Sequence, residues 1–329
     1  MSVDGVHLGG YVGALAPGFR QFLIGVGVVA VAVIVLAIVA ARSSSPRLAR
    51  RAANINRYVL LTLLAAIIVF PVYMVVVNSL LAPDVIGHRP PTLFPIHPQW
   101  GAYRTAWTDG HIGRYLFNSF LVTFLIVAGQ VCTAILAAYA FAFLEFPFKR
   151  ALFVIFLATL MIPFEVTFFT NVNTVASFRD VPVLGSIAGY NTYGGLVVPF
   201  LATGFGAFLV RQAFLSLPRD LRDAAQLDGY GHWRFMTRVA VPLARPSIAA
   251  LALFSFFGAW NQYLWPLVVT EDDRLRTVQV GIRQLSRASV DQINVTFAGT
   301  VLAALPLFVL LLVFQKQLVR GLTAGAVKG

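Results

Sequence analysis

The sequence predicts an all-α polytopic membrane protein, and three observations predict it. Of 329 residues, 58% are hydrophobic and only 12% are charged, far from the balance of a soluble domain of this size. The apolar residues gather into seven runs, at roughly 20–41, 57–81, 116–143, 150–173, 193–215, 246–269 and 296–319. A bilayer core about 30 Å thick needs ~20 such residues per helix, and none of the runs alternates as a membrane barrel strand would. The cations, finally, are sorted between alternate connections. Segments 42–57, 144–150 and 211–245 and the tail after 315 hold 16 of the 25 Lys and Arg with four acids; the opposite set holds nine basic and eight acidic residues. The positive-inside rule puts the first set in the cytoplasm, the N-terminus outside and the C-terminus inside. Topology thus explains the net charge of +12, and no basic groove with stacking aromatics points to nucleic acid.

The first run follows Arg20 and ends VAARSSS, with small residues Val39 and Ala41 as in a cleavable signal. Arg42, Arg47, Arg50 and Arg51 follow at once, a stop-transfer pattern that favours a retained helix. From Arg57 onward six spans are expected. Segment 82–115 contains RPPTLFPIHPQW and should be ordered extended chain. Asn118 and Gln130 lie in the next run, where Gln130 could line a pathway or join two helices. The single Cys132 excludes a disulfide within the chain and reads as a packed thiol. The turn from Glu145 to Arg150 closes a tight helical hairpin.

In run 150–173, Pro163 frees a carbonyl and can bend the helix. Glu165 then places a carboxylate within a membrane span, which is costly and by default a functional hypothesis. It either lines a pathway or serves as a structural acid; Asn171 and Asn173 sit towards the external end of the same run. Segment 174–192 is a small Gly-containing loop. Late in the sixth span, Asn261, Gln262 and Tyr263 are flanked by Trp260 and Trp265. Amides and phenols suit hydroxylated ligands, and the Trp rings could stack on a sugar or anchor at the interface. Segment 270–295 is a longer polar excursion with room for a short amphipathic helix.

The most informative stretch is 217–246, LPRDLRDAAQLDGYGHWRFMTRVAVPLARP. Pro218 suits a first helical turn, and Asp220 and Asp223 face its positive end. Leu221, Ala224, Ala225 and Gln226 continue the helix until Asp228-Gly229 stops it. Trp233, Phe235, Met236 and Val239 among Arg234 and Arg238 form a second amphipathic run, closed by Pro242. Physics alone gives two short helices at a membrane surface, either an idle interfacial loop or a docking element.

Asp223-Ala224-Ala225, three residues, Gly229, nine residues and Val239-Ala240-Val241-Pro242 resembles the EAA loop of ATP-binding-cassette (ABC) importer permeases. That family's pattern is Glu-Ala-Ala, three residues, Gly, nine residues, Ile-x-Leu-Pro. Asp223 is a shorter carboxylate than Glu, and the two Val replace Ile and Leu, so charge and hydrophobicity are kept. The resemblance covers roughly 57–329. It implies a six-helix permease core (57–329) whose loop at 217–246 docks on an ATPase through Asp223, Ala224, Ala225, Asp228, Gly229 and Pro242. Residues 1–56, an extension with one extra transmembrane helix and a basic linker, match nothing in the family. The ending GLTAGAVKG after Phe314-Gln315-Lys316, with Trp260–Pro266, is similar to the maltose-type carbohydrate subfamily. Together with Met161-Ile162-Pro163-Phe164-Glu165-Val166, it looks most like the second permease subunit of glycerol-3-phosphate importers.

The resemblance further implies four kinds of partner. These are a second permease subunit forming a heterodimer, two ATP-binding-cassette ATPase subunits, an external substrate-binding protein meeting 82–115 and 270–295, and membrane lipid. The substrate would be a sugar or a glycerol-3-phosphate-type compound, reached through Gln130, Glu165, Asn171, Asn261, Gln262 and Tyr263. No phosphate-binding GxxxxGK[ST] motif is present, so ATP hydrolysis belongs to partners. No His, Cys and Glu cluster has metal-ligand spacing, the five His are scattered, and no cofactor is expected. A secondary transporter would need paired intramembrane ionisable groups or discontinuous helices, and the spans offer only Glu165; nor is an internal repeat visible. A membrane scaffold or receptor is the other rival class.

Overall fold

The computed structural model describes residues 46–88, 91–288 and 290–323, with only 31, 33–35 and 38 of the first apolar run. The expected N-terminal span and the residues after Thr323 therefore lie largely outside the described residues. Within the described residues no strand occurs. The helices are α1 (Pro46–Leu80), α2 (Gly101–Thr108), α3 (Ile112–Phe143), α4 (Lys149–Ala158), α5 (Phe164–Ser177), α6 (Leu184–Ala188) and α7 (Tyr193–Val197). They continue as α8 (Gly204–Leu215), α9 (Arg219–Leu227), α10 (His232–Leu243), α11 (Arg245–Trp260), α12 (Leu264–Val269), α13 (Val278–Ala288) and α14 (Ile293–Thr323).

Three stretches are long and apolar enough to cross a bilayer unbroken: Ala53–Leu80, Ile112–Phe143 and Ile293–Gln315. Three more qualify as bent pairs. Lys149–Met161 and Phe164–Asp180 meet at 96°, Tyr193–Phe200 and Gly204–Leu215 at 47°, and His232–Leu243 and Arg245–Trp260 at 77°. The sharpest break follows from Pro163, which caps α5 and holds Ile162 in extended backbone.

The chain divides into two compact units, Met1–Ala106 with Ala288–Val301, and Trp107–Arg287 with Leu302–Gly329. In the first, the end of α1 is tied by Gln99 N–H to Leu80 O (2.8 Å) and by a hydroxyl pair between Ser79 and Tyr103 (2.7 Å). Asn294 Nδ2 donates to Leu81 O at 3.1 Å. The middle of α1 leaves Leu60, Leu64, Ile67 and Ile68 exposed, an apolar flank suited to lipid or another subunit.

In the second unit α3 is the spine, with α8 and α11 packed along it. Two apolar clusters build it. One joins Ala134, Ala138 and Tyr139 of α3 to Val210, Phe214 and Leu251. The other joins Val122 and Ile126 to Phe168, Leu196 and Trp265.

Several expectations are corrected. Segment 82–115 is not wholly extended: once past Pro98, GAYRTAWT contains no proline and forms α2. The sixth span is not continuous over 246–269, because α11 stops at Trp260 and α12 starts only at Leu264. Trp260 and Trp265 are core residues, 2% and 1% exposed, rather than interfacial anchors. Their indole N–H groups donate to Ala303 O (3.3 Å) and Gly195 O (3.1 Å), which satisfies them inside. Cys132 is exposed on the outer side of α3, not packed. Pro242 lies within α10, and the turn falls at Ala244 instead.

Candidate functional site

The loop at 217–246 folds as the two short helices α9 and α10 joined by a tight bend. Pro218 stands at the N-cap of α9 with Asp220 in the first turn, where its charge meets unpaired N–H groups. At the far end Asp228 N–H returns to Ala224 O (3.0 Å) and Tyr230 N–H to Ala225 O (2.8 Å). Gly229 between them has φ +72°, a left-handed conformation that any side chain would strain. Gly231 then caps α10.

Within α10 the backbone widens into a π-turn at Met236–Ala240. Pro242 has no N–H, and its ring presses on the carbonyl four residues earlier, so a wide turn just before it relieves the conflict.

One face of this pair is seated on the bundle. Ala225, Phe235, Met236, Ala240 and Ala244 are buried against Ala134, Ala138 and Tyr139 of α3 and against Phe214 of α8. Tyr139 is the centre of the seat, with ring centroids 5.2 Å from Phe143, 6.4 Å from Phe214 and 6.5 Å from Phe235. Its hydroxyl lies 3.0 Å from His232 Nδ1. Arg222 lies over the Phe143 ring at 5.9 Å.

The other face is free. Leu227 is 90% exposed and Trp233 69%, with Asp223, Ala224, Asp228 and Gly229 exposed beside them. Exposed large apolar groups rimmed by polar ones are characteristic of interaction surfaces. A cavity of about 600 Å³ under α9 is lined by Arg222, Asp223, Gln226 and Phe235.

The candidate pathway residues are dispersed by comparison. Gln130 and Gln262 line one cavity of about 250 Å³ with Thr203, Ser255 and Phe254. Gln130 Nε2 donates to Phe200 O at 2.8 Å, so it joins helices and lines the cavity at once. Gln262 Oε1 is buried without a partner. Glu165, Asn171, Asn261 and Tyr263 are not among that cavity's lining residues. Glu165 is exposed in the first turn of α5, immediately after the 96° break and near the middle of the bent pair Lys149–Asp180. Asn171 is half-buried on the same helix and Tyr263 half-buried before α12. Asn261 Nδ2 closes on Phe257 O (2.9 Å) and its Oδ1 accepts from Gln279 Nε2 (3.5 Å).

Asn118, which the sequence marks only as polar, is buried and makes three hydrogen bonds. Its Nδ2 donates to Arg274 O (2.7 Å) and Arg276 O (2.9 Å), and Tyr193 OH donates to its Oδ1 (2.8 Å). Its partners lie 75 to 158 positions away in sequence, so no local pattern could have announced them.

Comparison with known proteins agrees with this architecture. The family described as binding-protein-dependent transport system inner membrane component matches residues 130–324. The sn-glycerol-3-phosphate transport system permease protein UgpE of Yersinia enterocolitica is 33% identical over 281 residues, covering 83% of this chain and 97% of the relative. Its counterpart in Pectobacterium atrosepticum is 34% identical over the same shares. A bacterial ABC transporter involved in the import of the acidic polysaccharide alginate superposes with a TM-score of 0.70 at 21% identity, over 83% of this chain and 98% of that one.

Proposed function

This chain belongs to the binding-protein-dependent transport system inner membrane components, the permease subunits of ABC importers, and on that premise we propose how it works. The segment 217–246 is its coupling element. The supporting observation is the two-faced build of α9 and α10, with one face sunk into the bundle around Tyr139 and the other displaying Leu227, Trp233, Asp223 and Gly229. ATPase subunits grip the free face from the cytoplasm, and their closure on ATP drags the buried face, shifting the bundle between inward- and outward-facing states. The chain supplies the path and the lever and hydrolyses nothing itself.

The working unit is a heterodimer with a second permease, two ATPase subunits and an external binding protein. Residues 57–329 form the permease domain, and 1–56 a retained extra span whose basic stretch runs from Pro46 as continuous helix into the rest of α1; the N-terminus is outside and the C-terminus cytoplasmic. Gln130 and Gln262, both lining the 250 Å³ cavity, are the best-supported pathway residues. Amides recognise hydroxyls and phosphate oxygens alike, so a glycerol-3-phosphate-type substrate or a sugar fits the lining. The similarity to the glycerol-3-phosphate permeases favours the first.

The test uses the reconstituted importer. Asp223→Arg reverses the exposed charge, and Gly229→Trp places a bulky residue where φ is +72°. Substrate-stimulated ATPase activity is expected to fall at least about tenfold in each, the equivalent of ~1.4 kcal/mol of lost coupling. Unchanged assembly and unchanged transport would sink the coupling assignment. Comparing glycerol-3-phosphate, its diesters and oligosaccharides as stimulants of the same ATPase separates the two substrate classes.

A further inference from the structure

Beside the coupling element, at the turn between α3 and α4, a cavity of about 670 Å³ collects Lys149, Arg150, Arg211 and Arg219 against a single carboxylate, Glu145. Among the described residues none of these four cations forms an ion pair. Two of them are held in place by backbone. Arg211 Nε donates to Phe141 O at 3.1 Å, and Lys149 Nζ to Leu144 O at 2.7 Å. The Arg211 guanidinium is also stacked 4.0 Å over the Phe153 ring, which fixes its plane. Its terminal nitrogens have no protein acceptor among the described residues, so a fork of N–H donors is left for something else. Two held cations, with Arg150 and Arg219 beside them and one carboxylate, leave the cavity with an excess of positive charge suited to an anion.

The walls say which anion. Phe153 and Val154 line the cavity, and Val154 is 64% exposed on α4 next to exposed Leu152 and Ile155. Phe148, 81% exposed, stands at the start of the same helix. The cavity is therefore continuous with an apolar helix flank of a chain that lives in a bilayer. A soluble anion has no use for that flank, whereas acyl chains do. Basic pockets between membrane helices at a cytoplasmic surface are suited to acidic headgroups.

We propose that this cavity binds the headgroup phosphate of an anionic phospholipid, with Arg150, Arg211 and Arg219 as its donors and the exposed flank of α4 as the bed for its acyl chains. The lipid sits against the turn into α9, because Arg219 both lines the cavity and opens that helix. Binding there needs only that this end of the bundle reach a membrane surface. It does not depend on ATPase docking.

The experiment places the assembled importer in nanodiscs of phosphatidylcholine with a minor fraction of phosphatidylglycerol and measures retained lipid by native mass spectrometry. Wild type should hold phosphatidylglycerol in preference to phosphatidylcholine. Arg150→Gln with Arg219→Gln should lose it roughly 25-fold, about fivefold per charge, while the Lys pair at the same positions keeps most of it. If the double variant does not assemble, Arg150→Gln alone should show the fivefold loss. Equal retention in wild type and variant would overturn the proposal. So would an equal loss from Arg234→Gln with Arg238→Gln, which removes two charges outside the cavity. Stabilisation of detergent-solubilised wild type by inorganic phosphate as strong as that by phosphatidylglycerol would also overturn it, since the ligand would then be a free anion.

Discussion

The two ends of α3 are fastened by opposite kinds of force. Asn118 and Tyr139 stand on one helix about 31 Å apart along its axis. Around Asn118 the bonds are directional. Its amide grips two carbonyls of 274–276, Ser119 Oγ accepts from Val278 N–H (2.8 Å), and Asn191 Oδ1 takes the N–H groups of Glu271 and Asp272 (both 3.0 Å). Gly281 lies so close to Tyr115 that a Cβ would overlap the ring. Burial first, and then the charge of Glu271, raise the pKa of the neighbouring Tyr190 phenol. Around Tyr139 the contact is mostly rings and methyl groups, with one hydrogen bond to His232. Hydrogen bonds fail when geometry slips; apolar packing is non-directional and survives small displacements. One end of the spine is clamped, and the end that carries α9 and α10, the proposed coupling element, is seated like a ball in a socket.

That contrast can be broken by near-isosteric exchange. Asn118→Asp keeps shape but removes the two donated bonds and sets a carboxylate against carbonyls. It should cost about 3 kcal/mol or more, read as a large fall in the melting temperature of the assembled importer. A shift within error would mean the clamp carries no load. Met236→Leu keeps the volume of the socket and should cost under about 1.5 kcal/mol, leaving substrate-stimulated ATPase nearly intact. A loss as large as that of Asn118→Asp would show the socket to be as exacting as the clamp. Smallest of all, Tyr139→Phe removes only the bond to His232 and should cost about 0.5–1 kcal/mol. A greater loss, measured by the same melting curves, would mean the socket relies on that bond after all.

Much of this was legible in the sequence because it is local. Apolar runs fix where helices cross, and Asp228-Gly229 ends a helix by backbone sterics that any reader can apply. Pro163 likewise announced its bend. What was hidden depends on neighbours far along the chain. A Trp flanked by amides looks the same whether it meets lipid headgroups or, as Trp265 does, a carbonyl of another helix. Cys132 reads as core in an apolar run, yet helix rotation turns it outward. The cavity uniting Gln130 with Gln262 joins positions 132 apart, and the pathway set chosen by polarity alone could not separate those two from Asn261, whose side chain is bonded to its own helix.

The π-turn at Met236–Ala240 holds one residue more than a regular helical turn requires. Each residue in a helix carries about 100° of rotation and 1.5 Å of rise. Deleting one residue there would turn everything before it against everything after it, so Trp233 could be re-aimed only by moving Ala225 and Phe235 of the seated face as well. The exposed tip and its buried seat are thus held in one common register, and a change of a single residue at this turn would have to rebuild both.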